Sequence, residues 1–273
     1  ETINSPADVK KLGTEELTAL AAEMREALIV RASRHMGHVG PDLGFIEATV
    51  ALHAVFSSPE DKIIYDISHQ TYPHKMLTGR REAYTDPAHY DDVSAYSNPK
   101  ESPHDFFELG HTSVSIDLAL GMAKARNLLG GTEKVIAVIG DGSLSGGEAL
   151  EGLNTAGEFK GQFLILVNDN QMSIAENHGG LYASLKALRE SNGTSENNLF
   201  RAMGLDYRYE AAGNDIGALI RALNAVKDVD HPLVLHINTL KGKGYEPAET
   251  RKEEFHWHFP FDRESGETLP DFR

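Results

Sequence analysis

Four short apolar runs, Lys62–Ile67, Lys134–Ile139, Phe163–Asn168 and Leu233–Asn238, are separated by long stretches of helical character. This alternation constrains the fold more than any other feature. Runs of this length, each followed by a turn signal, read as strands buried on both faces. Strands separated by helices do not pair as hairpins; they need crossovers that lay helices over the sheet. The expectation is an α/β domain, a mainly parallel sheet flanked by helices on both faces. Leu17, Leu20, Ala21, Met24 and Leu28 recur at helical spacing behind Thr14, a candidate N-cap, with Glu15 and Glu16 in the first turn. Further helices are expected over Leu43–Phe56 and Ser115–Leu129. The 273 residues, 40% of them apolar, supply a sizeable core for one such domain. The polar stretch "ALRESNGTSENN" (187–198) reads as the main internal loop. The charged, aromatic tail from Glu249 reads as a connector, which places a domain at 1–248 and an arm or linker at 249–273.

Composition narrows the partners. Twenty-six basic residues stand against 41 acidic ones, a net charge of −15 with no basic cluster, which argues against nucleic acid and anionic membranes. The absence of cysteine excludes disulfides, thiol nucleophiles and thiolate zinc sites. No signal-peptide pattern is visible, and no apolar run approaches the roughly 18 residues of a membrane span, so a cytoplasmic location is expected. The sequence opens on Glu1 rather than Met, so the natural start is expected to be trimmed or missing.

The chemistry is concentrated where the second and third apolar runs end. One runs into "GDGSLSGG" (140–147), the other into Asn168-Asp169-Asn170, with Leu144–Gly157 suited to a crossover helix between them. In a parallel sheet both ends fall at the carboxyl edge, where ligands bind. A glycine turn there suggests a phosphate, yet Asp141 would repel one. A Walker loop is excluded because no lysine follows the glycines, and a dinucleotide fingerprint is weakened by Ser145 at its third glycine position. A divalent cation between carboxylate and diphosphate removes the conflict. Mg²⁺ takes few protein ligands, all hard oxygens; Asp141 offers a carboxylate and Asn170 an amide oxygen. The amides of Gly142 and Ser143, near a helix N-terminus, can then meet the anion directly. The alternative is that Asp141 only forms a turn or an N-cap.

These residues resemble the thiamine-diphosphate signature of transketolase-like enzymes. "SHQTYPHKMLTGRR", "GHTSVSIDLALGMA", "NDNQMSIAEN" and "KGKGYEPAE" are similar to the 1-deoxy-D-xylulose-5-phosphate synthase family, and the resemblance runs from "TINSPADVKKL" to "FHWHFPFD". It implies thiamine diphosphate and Mg²⁺ as cofactors, with Asp141, Asn170 and the backbone carbonyl of Met172 on the metal. It also implies His69, Gly110, His111, Thr112, Gly142, Ser143, Asn170 and Tyr245 as cofactor contacts. His38 would lie beside the thiazolium, and Tyr245 and His256 would close over the cofactor, with His38 and His256 in catalytic roles. His74 and His258 are expected as supporting or surface groups, and histidines 35, 53, 89, 104, 178, 231 and 236 as structural. Lys241 and Lys243 are expected as flexible surface lysines, with a counter-charge to substrate phosphate as the alternative.

The implied reaction joins pyruvate, a keto donor, to the aldehyde glyceraldehyde 3-phosphate with loss of CO₂. A synthase-like transketolase passing a two-carbon ketol unit between sugars is the first alternative, and a non-catalytic cofactor-binding subunit the second. The family's activating glutamate belongs to a pyrimidine-binding domain that this chain does not contain, so a companion domain or subunit is implied, as is a homo-oligomer. Two departures stand out. The connection between "MSIAENHGG" and "FRAMGLDYR", residues 176–200, is short for the family, and "GPDLG" after His38 is a variant turn.

Overall fold

The computed structural model describes residues 3–272; Glu1 and Thr2 lie outside them. Six main helices are α1 (Thr14–Ala32), α2 (Gly40–Val55), α3 (Ser115–Leu129), α4 (Gly147–Ala156), α5 (Gly180–Glu190) and α6 (Ile216–Val226). Five strands, β1 (Lys62–Tyr65), β2 (Val135–Gly140), β3 (Phe163–Asp169), β4 (Asp206–Glu210) and β5 (Pro232–Asn238), form one sheet. Its order is β1-β2-β3-β5-β4 and every pair is parallel.

Strand alternation assigns the core to two faces. Val135, Ala137 and Ile139 of β2 and Phe163, Ile165 and Val167 of β3 pack under α3 and α4, with Leu185 and Leu188 of α5. Their neighbours Ile136, Val138, Leu164 and Leu166 point the other way, against Phe45 and Leu52 of α2 and Leu219 and Leu223 of α6. Both faces are covered, so the central strands are apolar at every position, as parallel sheets require. A third layer packs α1 on the outside of α2 through Leu17, Met24 and Leu28.

Several expectations change. Helix α1 begins at Thr14 itself, and its N-cap is Gly13, whose N–H donates to the Glu16 carboxylate at 2.8 Å. Helix α2 begins three residues earlier than the apolar pattern indicates, with Pro41 in its first turn. The first four residues of the expected 187–198 loop are the last turn of α5, because Leu185 and Leu188 keep it on the core. The turn comes afterwards, at Asn192 and Gly193, both with left-handed backbones.

The segment beyond Glu249 is packed against the domain. Phe255 and Phe261 are buried beside Val39 and Leu43 in the third layer. Trp257–His258 pairs antiparallel with Gly37–His38 in a two-residue ladder. No break in packing falls at 248/249.

Candidate cofactor and metal site

The carboxyl ends of β1, β2 and β3 open into a cavity of about 410 Å³. Asp141, Gly142, Ser143, Asn170 and Met172 line it together with Thr112, His69 and His256. The two strand ends singled out in the sequence therefore do meet. Gly140 faces this space, and a Cβ built on it would meet no atom within 4 Å. Gly142 is required by packing, since a Cβ there would come within 2.7 Å of the Ser173 Cβ.

Asp141 starts a single helical turn, Asp141–Leu144, and is buried beside a second carboxylate, Asp169. Burial and the neighbouring charge both push its carboxyl well above the ordinary range. Asn177 donates to Asp141 Oδ2 at 2.8 Å. Burial works against the Asp169 charge as well, but hydrogen bonds from His236 and Arg189 outweigh it and hold that group ionised. His236 Nε2 lies 2.9 Å from Asp169 Oδ2, and Tyr207 supports the imidazole from its other nitrogen at 2.8 Å.

Three imidazoles cluster here: His69 and His256 line the cavity, and His38 packs against both without lining it. His38 and His69 have ring centroids 4.8 Å apart, His69 and His256 5.3 Å, and His38 and His256 5.6 Å. The ladder between Gly37–His38 and Trp257–His258 produces this meeting of distant residues. Burial lowers His38 to about 4 and His256 to about 3, and pushes His69 well down, helped there by its two neighbours. All three are neutral at pH 7. The Nδ1 atom of each is buried without a hydrogen-bond partner among the described residues, an unusual deficit for folded protein.

Lys241 is no flexible surface group: it is 1% exposed and lines the cavity. Its Nζ donates to the carbonyls of Ser173 at 2.6 Å and Ile174 at 3.3 Å. Burial lowers it to about 8, so it remains largely cationic at neutral pH. The variant "GPDLG" turn helps bury it: a Cβ on Gly44 would come within 2.8 Å of the Leu240 carbonyl, and one on Gly40 within 3.3 Å of the lysine stem.

Three expected contacts lie elsewhere. Tyr245 is buried between Phe255 and Phe261, and its hydroxyl donates to the Arg263 carbonyl at 3.1 Å, away from the cavity. Gly110 lines a separate cavity with Tyr96 and Glu108. His111 is exposed, with Nδ1 2.7 Å from the Thr112 carbonyl. His74 is supporting, as expected, but from deep burial. It lies 3.1 Å from Asp105, 2.9 Å from His53 and within 3.4 Å of the Tyr65 hydroxyl. The buried, partnerless Gln70 Oε1 and the Asp66 carboxylate are lining groups that the sequence did not single out, although Gln70 lies in "SHQTYPHK".

The donor set fits a diphosphate carried with a hard cation. Among the described residues no cluster of three His, Asp or Glu side chains is arranged to hold a metal by itself. One carboxylate with amide and carbonyl oxygens suits Mg²⁺, which completes its shell from phosphate and water.

Comparisons with known proteins identify the family and the fold. The model of the 1-deoxy-D-xylulose-5-phosphate synthase family matches residues 1–196. 1-Deoxy-D-xylulose-5-phosphate synthase 2 of Geobacter sulfurreducens is 41% identical over 305 aligned positions, covering 98% of this chain and 49% of the relative. The synthase of Porphyromonas gingivalis is 43% identical over 304 positions, covering 97% and 48%. Each alignment is longer than the chain, so the relatives carry residues that it lacks. The chain spans about half the length of the curated relatives it matches. Among solved structures, transketolase from Campylobacter jejuni superposes with a TM-score of 0.68 at 19% identity, over 89% of this chain and 40% of that one. Transketolase from Leishmania mexicana gives 0.63 at 18%, over 86% and 38%. These structures share the fold. By its sequence, the chain belongs to the 1-deoxy-D-xylulose-5-phosphate synthase family.

Proposed function

We propose that this chain is the diphosphate-binding half of a thiamine-diphosphate-dependent carboligase that joins pyruvate to glyceraldehyde 3-phosphate with release of CO₂. The observation that carries this reading is one cavity lined by a buried carboxylate, a glycine turn at a helical N-terminus and two neutral imidazoles, His69 and His256, with His38 packed against both and the Nδ1 of all three unpartnered among the described residues. Asp141, Asn170 Oδ1 and the Met172 carbonyl would hold Mg²⁺. The amides of Gly142 and Ser143 would receive diphosphate oxygens, with Lys241 as a fixed positive charge opposite them. When bound, the cofactor supplies a carbanion equivalent and an electron sink. The protein's part is placement and polarity. His38, His69 and His256 are neutral, so each can donate one N–H to an oxygen that gains charge, without serving as a strong acid.

Pyruvate and an aldehyde acceptor are the substrates on this reading, and the companion is a pyrimidine-binding domain or subunit. A homo-oligomeric, cytoplasmic assembly is part of the same proposal. The test is to combine the chain with its companion half, thiamine diphosphate and Mg²⁺, and to follow CO₂ release from labelled pyruvate with glyceraldehyde 3-phosphate. Consumption of ketose donors without CO₂ release would replace the synthase with a ketol-transferring enzyme. Cofactor binding without turnover of either donor would indicate a binding subunit.

A further inference from the structure

Asp66, immediately after β1, is fully buried and borders the cavity, yet the reading above gives it no task. Its Oδ1 accepts the N–H of Ser113 at 2.9 Å and its Oδ2 the N–H of Ser115 at 3.0 Å. It thereby caps α3 and fixes the turn that carries Thr112. Its own N–H donates to the Val138 carbonyl of β2 at 2.7 Å. Ser113 extends the connection: its hydroxyl donates to the Ser143 carbonyl at 2.8 Å, inside the glycine turn. Gly146 leaves room for that hydroxyl, since a Cβ there would lie 1.9 Å from it.

The backbone around this connection is strained. Ile67 (φ 44°), Ser68 (φ 65°), Ser113 (φ 75°) and Gln171 (φ 68°) are left-handed non-glycine residues, and all four follow or precede elements at this edge of the sheet. For a β-branched residue such as Ile67 this conformation is a genuine outlier, and such outliers persist only where surrounding structure enforces them.

We infer that Asp66 and Ser113 form a positioning brace that sets the 112–115 turn and the 141–144 turn at the spacing a bound diphosphate needs, without themselves ligating the metal. The inference rests on the cofactor reading. Its role is outer-shell, in the sense that it orients the groups that touch the ligand, and such partners are typically worth roughly 10- to 100-fold in affinity.

The experiment is calorimetric titration of the chain, with its companion half, by thiamine diphosphate with and without Mg²⁺. Ser113→Ala removes only the hydroxyl, and Asp66→Asn keeps shape but loses one acceptor. Each is expected to weaken Mg²⁺-dependent binding roughly 10-fold or more while the melting temperature of the cofactor-free protein falls by only a few degrees. Because the two act through one connection, the double variant should lose little more than Asp66→Asn alone. A merely structural role predicts losses that follow melting temperature and add. Wild-type affinity in Ser113→Ala, or strict additivity, overturns the brace; if Asp66→Asn does not fold, Ser113→Ala decides alone. A wild-type protein that binds no thiamine diphosphate refutes the cofactor reading instead.

Discussion

Arg189 reaches from the last turn of α5 to form an ion pair with Asp169 at the end of β3. The 176–200 connection thus supplies the counter-charge to the carboxylate behind Asp141.

Removing that counter-charge should be costly. Arg189→Gln leaves Asp169 buried with His236 and the Gln171 N–H as its remaining donors, and breaking a buried pair on one side costs roughly 3 kcal/mol. Denaturant melts should show this loss, and Asp169→Asn in the same background should restore part of it. An Arg189→Gln protein as stable as wild type would mean that His236 suffices.

Asp141→Ala should abolish Mg²⁺-dependent binding of thiamine diphosphate while the melting temperature stays level or rises, because the change removes a buried carboxyl that faces Asp169. Titration with and without Mg²⁺ measures the first effect and calorimetry the second. Unchanged cofactor affinity would return Asp141 to the role of turn former.

His38→Ala in the complete enzyme should lower turnover by roughly 10²–10³, the usual loss for one donor to a developing oxyanion. Cofactor affinity should barely change if, as proposed, Asp141, Gly142, Ser143 and Lys241 hold the diphosphate end. Steady-state kinetics at saturating cofactor separates the two quantities. Normal turnover with weakened cofactor binding would move His38 from catalysis to binding.

Acid should destabilise the domain well above the carboxylate range. Burial pushes His53 well down, lowers His74 despite its bond to Asp105, and takes His104 to about 4. In the unfolded chain these imidazoles titrate near 6.5. Above that pH both states are neutral and nothing is lost; below it only the unfolded chain takes up protons. Stability should therefore fall from about pH 6.5 towards pH 4, with a slope of about one proton for each suppressed imidazole. His38, His69 and His256 contribute with the same sign. Urea melts at half-unit pH steps give the slope, and a flat profile between pH 6.5 and 5 would show that these rings protonate in place.

The central sheet was legible because a strand buried on both faces has to be apolar throughout, as Phe163–Asn168 is. The edge strand β4, "DYRYE", was not: one side of it is solvent, so Arg208 and Asp206 are exposed and erase the pattern. Asp141 stood out through a charge conflict, a carboxylate in a turn of phosphate-binding type, and the structure buries it beside Asp169 at the cavity. Lys241 was misread because lysine is ordinarily a surface residue, and its burial depends on glycines two hundred positions upstream. The meeting of His38 with His256 follows from a two-residue ladder that no local periodicity encodes. Resemblance, not spacing, supplied that pair. Resemblance also misplaced Tyr245, whose ring went to the aromatic cluster of Phe255 and Phe261.

The ladder that joins Gly37–His38 to Trp257–His258 has a consequence for how the protein matures. Contacts between opposite ends of a chain close late, after the loop entropy between them has been overcome. On a ribosome, β1, β2 and β3 can assemble long before the Phe255 segment emerges, but the third imidazole arrives only with it. On the proposed reading, cofactor capture by the nascent domain would be deferred until the His256 segment has been synthesised, so a chain interrupted before His256 would fold much of its sheet and still bind poorly.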